Sequence, residues 1–255
     1  MCLLEILKGL ITETKKIDIK KLPSQGFFYK DDFSLRIKKA EIEDIIEYEL
    51  KFDRNNLITS IECIKKVVSK NTILGKGYQY NDIKSVDIIF IFLEIVKFTT
   101  GKEIKISYIN KLGKEDFVTF DSNYFNYFKF DELMKYYDDV KKEFVIDGYK
   151  FSLPSIGVET SLTNYLGSKK DEEEVKRLNK SSYDFMFFLG SKSNLTFSEI
   201  DNLLDIFNQD LEEEEVNKVK NIVEKFKGMV GYSLVVDGDE VEVRSKIDLH
   251  DIWKG

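Results

Sequence analysis

The sequence predicts an α+β fold in which small antiparallel β-hairpins pack with a helical majority. Three observations predict it: apolar residues recur at three- and four-residue spacing over several long stretches, shorter stretches alternate apolar with polar, and turn residues separate the two kinds. At 255 residues the chain is long enough to bury a real core. The pattern reads as two subdomains, an N-terminal α+β region over 1–140 and a C-terminal, mainly helical region over 141–255 that ends in a hairpin and a tail.

Leu3, Leu4, Leu7, Leu10 and Ile11 fit one face of an amphipathic helix, and alternation at Ile17 and Ile19 then announces a strand. Leu22-Pro23-Ser24-Gln25-Gly26 is a turn, because proline sets φ, serine can bond the local backbone and glycine tolerates positive φ. Phe33, Leu35 and Ile37 alternate after it, so residues 17–38 read as a β-hairpin or β-arch. Helices follow at about 40–52 and 57–69, with Ile42, Ile45, Ile46 and Glu49 marking the apolar and polar faces of the first. A glycine-bearing loop over 74–80 leads to Asn81 or Asp82 as a helix cap and to an apolar run over 83–98. That run has strand propensity, yet its length without a turn signal favours a buried helix, which Gly101 stops. Ile104, Ile106 and Tyr108 with Phe117 and Thr119 make a second hairpin, and a helix is expected near 130–138.

Tyr149, Phe151 and Leu153 alternate into Leu153-Pro154-Ser155-Ile156-Gly157. Both prolines of the chain therefore sit in one frame, Leu-Pro-Ser-x-Gly, each time after an alternating strand. Convergent turn chemistry explains this more simply than internal duplication, and Gly26 or Gly157 is expected at positive φ. Helices are expected at 159–166, 172–189, 196–208 and 211–227, the last with Val216, Val219, Val223 and Phe226 on one face. The acids at 171–174 and 212–215 open helices, where the dipole favours negative charge, and are read as solvated rather than metal-binding. A hairpin joins 233–236 to 240–243 around Asp237-Gly238, and a tail carries Leu249, Ile252 and the sole tryptophan, Trp253.

The net charge of −7 disfavours a dedicated nucleic-acid binder, since neutralising phosphates is what makes such binding strong. Ala40 is the only alanine, and only Arg36, Arg54, Arg177 and Arg244 are arginine, a bias expected of AT-rich coding. The Phe, Tyr and Lys interleaved over 124–135 are therefore read as buried aromatics with solvated lysines, not as a base-stacking platform. Cys2, Cys63 and His250 have no zinc-site spacing, and the two cysteines are expected as reduced thiols in a cytoplasmic compartment. Residues 1–11 lack the pattern of a signal peptide. The most apolar run, 88–93, is far short of the roughly 20 residues that span a bilayer.

A phosphate loop is excluded because Gly101-Lys102 is framed by Val96 and Glu103, and Gly75-Lys76 by Lys70 and Gly77, where a glycine and a hydroxyl residue are needed. Asp237-Gly238-Asp239-Glu240 lacks the spaced ligand set of a calcium loop. His250, in an acidic tail, is a poor place for an oriented base. No catalytic, cofactor-binding or metal residue is assigned, and no cofactor is expected.

Two stretches resemble the baseplate hub assembly proteins of T4-like contractile-tailed bacteriophages. The first is Ile17-Asp18-Ile19-Lys20-Lys21-Leu22-Pro23-Ser24-Gln25-Gly26 followed by Phe28-Tyr29, similar to the strand and Leu-Pro-Ser-x-Gly turn with which members begin. The second is Tyr80-Asn81-Asp82-Ile83-Lys84-Ser85-Val86-Asp87-Ile88-Ile89-Phe90-Ile91-Phe92-Leu93-Glu94-Ile95-Val96-Lys97 with Thr100-Gly101-Lys102. It is similar to the family's buried segment, an Asp before an aromatic-aliphatic run, a basic residue and a Ser/Thr-Gly step. The likeness covers about residues 15–120 and departs at Ser34-Leu35-Arg36-Ile37-Lys38-Lys39, where many members are arginine-rich.

The resemblance implies a noncatalytic structural or assembly role in the baseplate hub. Partners would be other hub or tail proteins, met in the host cytoplasm during assembly, with retention in the virion tail as the other outcome. The turns Leu22, Pro23, Ser24 and Gly26, and Leu153, Pro154, Ser155 and Gly157, are read from their own residues as structural. Leu3, Leu7 and Leu10, and Leu249, Ile252 and Trp253 of the tail, are candidate interface residues, with packing on the protein's own core as the equal alternative for each set. The alternative class is an acidic cytoplasmic binding or regulatory module unrelated to phage tails. No feature of the sequence sets an oligomeric state.

Overall fold

The computed structural model describes residues 13–53, 56–110, 112–121, 125–127, 132–168, 193–205, 212–229, 232–236, 239–242, 249 and 252–253. The expected helices over 3–11 and 172–189, the residues Leu3, Leu7, Leu10 and His250, and the Asp237-Gly238 turn lie outside them. The architecture is α+β. Strands β1 (Thr14–Lys16), β2 (Leu35–Lys38) and β3 (Thr72–Leu74) form an antiparallel sheet in that order, with Thr14 opposite Lys38 and Arg36 opposite Ile73. The first strand thus lies earlier than the alternation of Ile17 and Ile19 suggested. Asp18 explains the shift, because its carboxylate accepts the Lys20 N–H at 3.1 Å and bends residues 19–21 into a 3-10 turn instead of a ladder.

Helices α1 (Ile42–Lys51) and α2 (Leu57–Asn71) follow as expected. Asn56 starts α2 by accepting the Thr59 N–H at 3.2 Å. Lys70 reaches Asp44 at 2.5 Å and Lys66 pairs with Glu47, which fixes the two helices antiparallel. The faces of α1 differ from the expected division: Ile45, Tyr48 and Phe52 turn to the core, whereas Ile42 and Ile46 face outward. Helix α3 (Ile88–Thr100) buries Ile88, Phe90, Ile91, Phe92, Leu93, Ile95 and Val96. Predominantly apolar, it is the central rod of the first core cluster, and Gly101 ends it in the left-handed conformation at φ 65°.

The hairpin of β4 (Lys105–Ile109) and β5 (Glu115–Thr119) is where the sequence placed it, with Ser107 opposite Phe117. Strand β6 (Phe125–Tyr127) joins a later sheet. The helix expected near 130–138 is not there among the described residues; a single 3-10 turn, Met134–Tyr136, runs into β7 (Tyr137–Asp138). Pairing overrides helix propensity here, since Tyr137 sits opposite Phe144 of β8 (Glu143–Ile146), which pairs in turn with β9 (Tyr149–Phe151). The β8–β9 turn is Asp147-Gly148, with φ of 52° and 85°, the left-handed pair that a two-residue hairpin turn needs.

Helices α4 (Ile156–Ser168), α5 (Phe197–Asp205) and α6 (Glu213–Met229) complete the helical set among the described residues. Strands β10 (Tyr232–Val236) and β11 (Asp239–Glu242) pair as expected, and β6 lies on the other side of β10. A second core cluster gathers Phe28, Leu133, Phe144, Phe151, Leu153, Val219 and Val223, and a third lies between α4 and α5 around Leu162, Tyr165 and Ile200. These clusters run across residue 140: Phe28 joins the second, and Ile156, Leu249 and Trp253 join the first.

The tail is packed at home rather than presented as a free surface. Trp253 lies edge-on to Tyr48 and Phe92, with ring centroids 6.0 and 5.7 Å apart. The Tyr48 hydroxyl donates to the Leu249 carbonyl at 2.8 Å, while Ile252 is partly buried against the same cluster. Burying an indole on two aromatic rings removes apolar surface that a free chain end would leave in water.

The two Leu-Pro-Ser-x-Gly frames fold differently. Gly26 lies at φ 75°, between left-handed Gln25 and Phe28, and the first frame is a turn. Gly157 lies instead in the first turn of α4, with no positive φ, because the Ser155 hydroxyl accepts the Val158 N–H at 3.2 Å and starts a helix. Gly157 is required for a different reason: a Cβ there would lie 2.0 Å from the Ser193 carbonyl oxygen and 2.4 Å from Asn194 Oδ1. Gly26→Ala should therefore lower stability by about 1 kcal/mol through backbone strain, and Gly157→Ala by more, up to about 3 kcal/mol, through the clash. Urea unfolding of the two variants measures both the costs and their order.

Candidate functional site

The segment between the glycine-bearing loop and α3 does not continue the helix backward, as the 83–98 reading expected. Residues 80–82 and 85–87 form two 3-10 turns, and α3 begins only at Ile88. The reason is tertiary, since this segment is claimed by both Leu-Pro-Ser frames. Lys84 and Ser155 form an antiparallel bridge, flanked by Ser85 N–H to the Pro154 carbonyl and Ile156 N–H to the Ile83 carbonyl, each 2.9 Å. On the other side Asp87 Oδ1 accepts the Ser24 N–H at 2.8 Å, and Asp87 Oδ2 accepts the Tyr29 hydroxyl at 2.7 Å. The Tyr29 hydroxyl in turn accepts the Lys84 N–H at 2.9 Å. Asn81 and Asp82 do not cap α3. Asp82 accepts the Gln79 N–H at 2.6 Å and the Ser193 hydroxyl, and the Asn81 amide donates to Asn194 Oδ1 at 2.9 Å.

Residues separated by more than sixty positions thus meet at one buried polar junction, in which Ser24 and Asp87 are fully enclosed. Burial pushes the Asp87 carboxyl up to about 6, and the Ser24 N–H, the Tyr29 hydroxyl and the field of Lys84 hold it from rising further. Burial also raises the Tyr29 hydroxyl well above its ordinary value, with the Asp87 charge adding to the effect. The Lys84 amine is buried with Ser152 Oγ at 3.4 Å, and burial lowers it to about 8 against the opposing pull of Asp87 and Asp82. These groups bond to one another and to backbone. What the arrangement does chemically is hold three chain segments in register.

The sequence singled out Leu22, Pro23, Ser24 and Gly26 with Leu153, Pro154, Ser155 and Gly157 as turns, and the structure brings the two frames onto opposite sides of residues 83–87. It did not foresee the roles of Tyr29, Lys84 and Asp87. The available signal was Asp87 itself, an acid directly before a run that must be buried and therefore an acid in need of donors.

Two surface clefts lie elsewhere. One, about 220 Å³, is floored by Leu22, Phe90 and Phe120 and bridged by the Lys15–Glu94 ion pair at 2.7 Å. The other, about 520 Å³, is lined by Cys63, Lys65, Lys66, Tyr80 and Thr160. Its lysines are already paired, Lys65 with Glu62 and Glu159 at 3.2 and 3.5 Å and Lys66 with Glu47, and burial pushes the Cys63 thiol up, away from nucleophilic character. Among the described residues no group of three or more His, Cys, Asp or Glu side chains is placed to hold a metal, and no helix is long and apolar enough to cross a membrane. No family model, curated protein or solved structure matches the chain.

The junction makes a pH signature. Because Asp87 titrates near 6 when folded and near 3.9 when unfolded, the folded state holds its proton more tightly, so stability falls as pH rises from about 4 to about 6, by up to ~3 kcal/mol. Lys84 acts in the alkaline range: its depressed amine makes stability rise from about pH 8 toward its ordinary value of 10.5. Tyr29→Phe removes a donor to the carboxylate and the acceptor of the Lys84 N–H. It should cost about 1–3 kcal/mol and extend the acid-side decline above pH 6, read by urea unfolding between pH 4 and 8. An unchanged slope would show that Asp87 is not held by Tyr29.

Proposed function

We propose that the chain is a noncatalytic structural or assembly protein of a contractile-tailed phage baseplate hub, acting through protein–protein contacts during tail assembly. One observation carries the reading. The two stretches that resemble the T4-like hub family meet at a single buried point, where Ser24 and Tyr29 of the first bond the Asp87 carboxylate of the second. Residues that recur in a family because they lock its fold are expected to meet in this way, far from solvent. A role in contact rather than chemistry is further supported by the aliphatic residues that α1 turns outward.

Affinity capture of the tagged, full-length chain from phage-infected cells tests the proposal. Hub and tail proteins should be recovered together with the chain, and absent from an uninfected control. Recovery of host regulatory proteins instead, with no tail component, would overturn it. Mass spectrometry of purified virions then separates a retained subunit from an assembly factor that leaves.

A further inference from the structure

Helix α1 is apolar on two sides, and one of them has no partner among the described residues. Ile45, Tyr48 and Phe52 pack into the core, and Asp44 and Glu47 face α2. The outward side carries Ile42, Ile46 and Leu50, one helical turn apart and 75, 52 and 80% exposed. A single exposed aliphatic residue is ordinary, but three in register form a stripe about 12 Å long, the footprint of one short helix.

We infer that this face is the docking site for a basic amphipathic helix of another protein, one with aliphatic residues at four-residue spacing between lysines or arginines. The charges around the stripe select that occupant. At 3.6 residues per turn Glu49 falls on one side of the stripe and Glu43 on the other, and neither pairs with a base among the described residues. Residues 42–50 hold four acids and no base. The bases nearest in sequence are already engaged: Lys51 turns to Glu47 at 2.6 Å, Lys39 to Glu13 at 2.7 Å and Lys38 to Glu41 at 3.9 Å. An aliphatic seam between two unanswered carboxylates is complementary to a helix with the opposite flanks. The same charges argue against a second copy of the chain, since two α1 helices face to face would bring both pairs of carboxylates to one seam with no base between them. Area argues the same way: three side chains fall short of the about 800 Å² that each partner of a stable dimer contributes. The inference rests on α1 alone and is independent of the phage reading.

Fluorescence anisotropy with the full-length chain and labelled synthetic peptides tests it. One peptide carries leucines at four-residue spacing flanked by lysines, a second has glutamates in place of those lysines, and a third is the lysine peptide scrambled so that its stripe is lost. The lysine peptide should bind about tenfold or more tighter than either of the others. Ile46→Gln, which removes apolar surface without changing charge, should weaken it about fivefold or more. Glu43→Lys with Glu49→Lys should transfer the preference to the glutamate peptide. Emission from buried Trp253 checks that each variant is folded. Equal binding of the three peptides, no binding at all, or a preference that survives the charge reversal would overturn the inference. Sedimentation of the chain alone as a dimer that Ile46→Gln dissociates would overturn it in favour of a second copy on the stripe. In a Cys2→Ser background, Ile46→Cys should react with a maleimide about as readily as Val140→Cys, another exposed position. Protection of Ile46→Cys in the monomer would overturn the inference as well, by showing that the chain covers this face itself.

Discussion

The carboxylate of Asp87 is taken wholly out of water at the foot of the most apolar helix among the described residues. A charge in that position is tolerable only if donors are built around it, and the chain supplies a backbone N–H from the first turn and a hydroxyl from Tyr29. Those two bonds dictate much else. They draw residues 22–29 across the start of α3, which takes Gln25, Gly26 and Phe28 into the left-handed region and swings the Phe28 ring into the second cluster against Phe144. Through the Tyr29 hydroxyl they also reach Lys84, whose neighbours Ile83 and Ser85 bond the second frame and so the start of α4. The first and second clusters are thereby connected by polar bonds that have one geometry, whereas apolar contacts alone would permit several.

Elements governed by local chemistry were legible in the sequence. Helix α3 was separable from a strand by its length without a turn signal, and Gly101 ends it because a residue without Cβ can close the last carbonyl in the left-handed conformation. The β4–β5 and β10–β11 hairpins followed from alternation on either side of turn residues. The misreadings fall where distant partners decide. Residues 83–87 have helical spacing, yet Pro154 and Ile156 take their backbone groups, and Tyr137 was read as helical because its partner, Phe144 in β8, was not recognised as a strand. Asp147-Gly148 carried the same turn signal as Asp237-Gly238 and should have revealed β8 as the partner of the alternating strand at 149–151.

The junction was legible in its parts but not as a site. Each Leu-Pro-Ser-x-Gly frame stood out, but the shared pattern hid two conformations, because each frame is also held by a distant partner: Asp87 accepts the Ser24 N–H of the first, and Ile83 and Ser85 bond the backbone of Ile156 and Pro154 in the second. The tail is a comparable case. An aromatic residue near a chain end fits a partner's pocket or its own core equally well on pattern alone, and it is the position of Tyr48 and Phe92 that brings Trp253 inward. The same burial leaves α1, rather than the tail, as the described aliphatic face turned to solvent.

Residues 83–87 hold both frames as one unit, and amide hydrogen exchange in an Asp87→Asn variant tests this. The substitution preserves shape but leaves a buried donor without an acceptor. The amides of Ser24, Lys84, Ser85 and Ile156 report on the two sides of the junction separately. All four should lose protection together, on the order of tenfold or more. Loss confined to Ser24, with Ser85 and Ile156 exchanging as before, would contradict it and show two independent turns that merely lie close together.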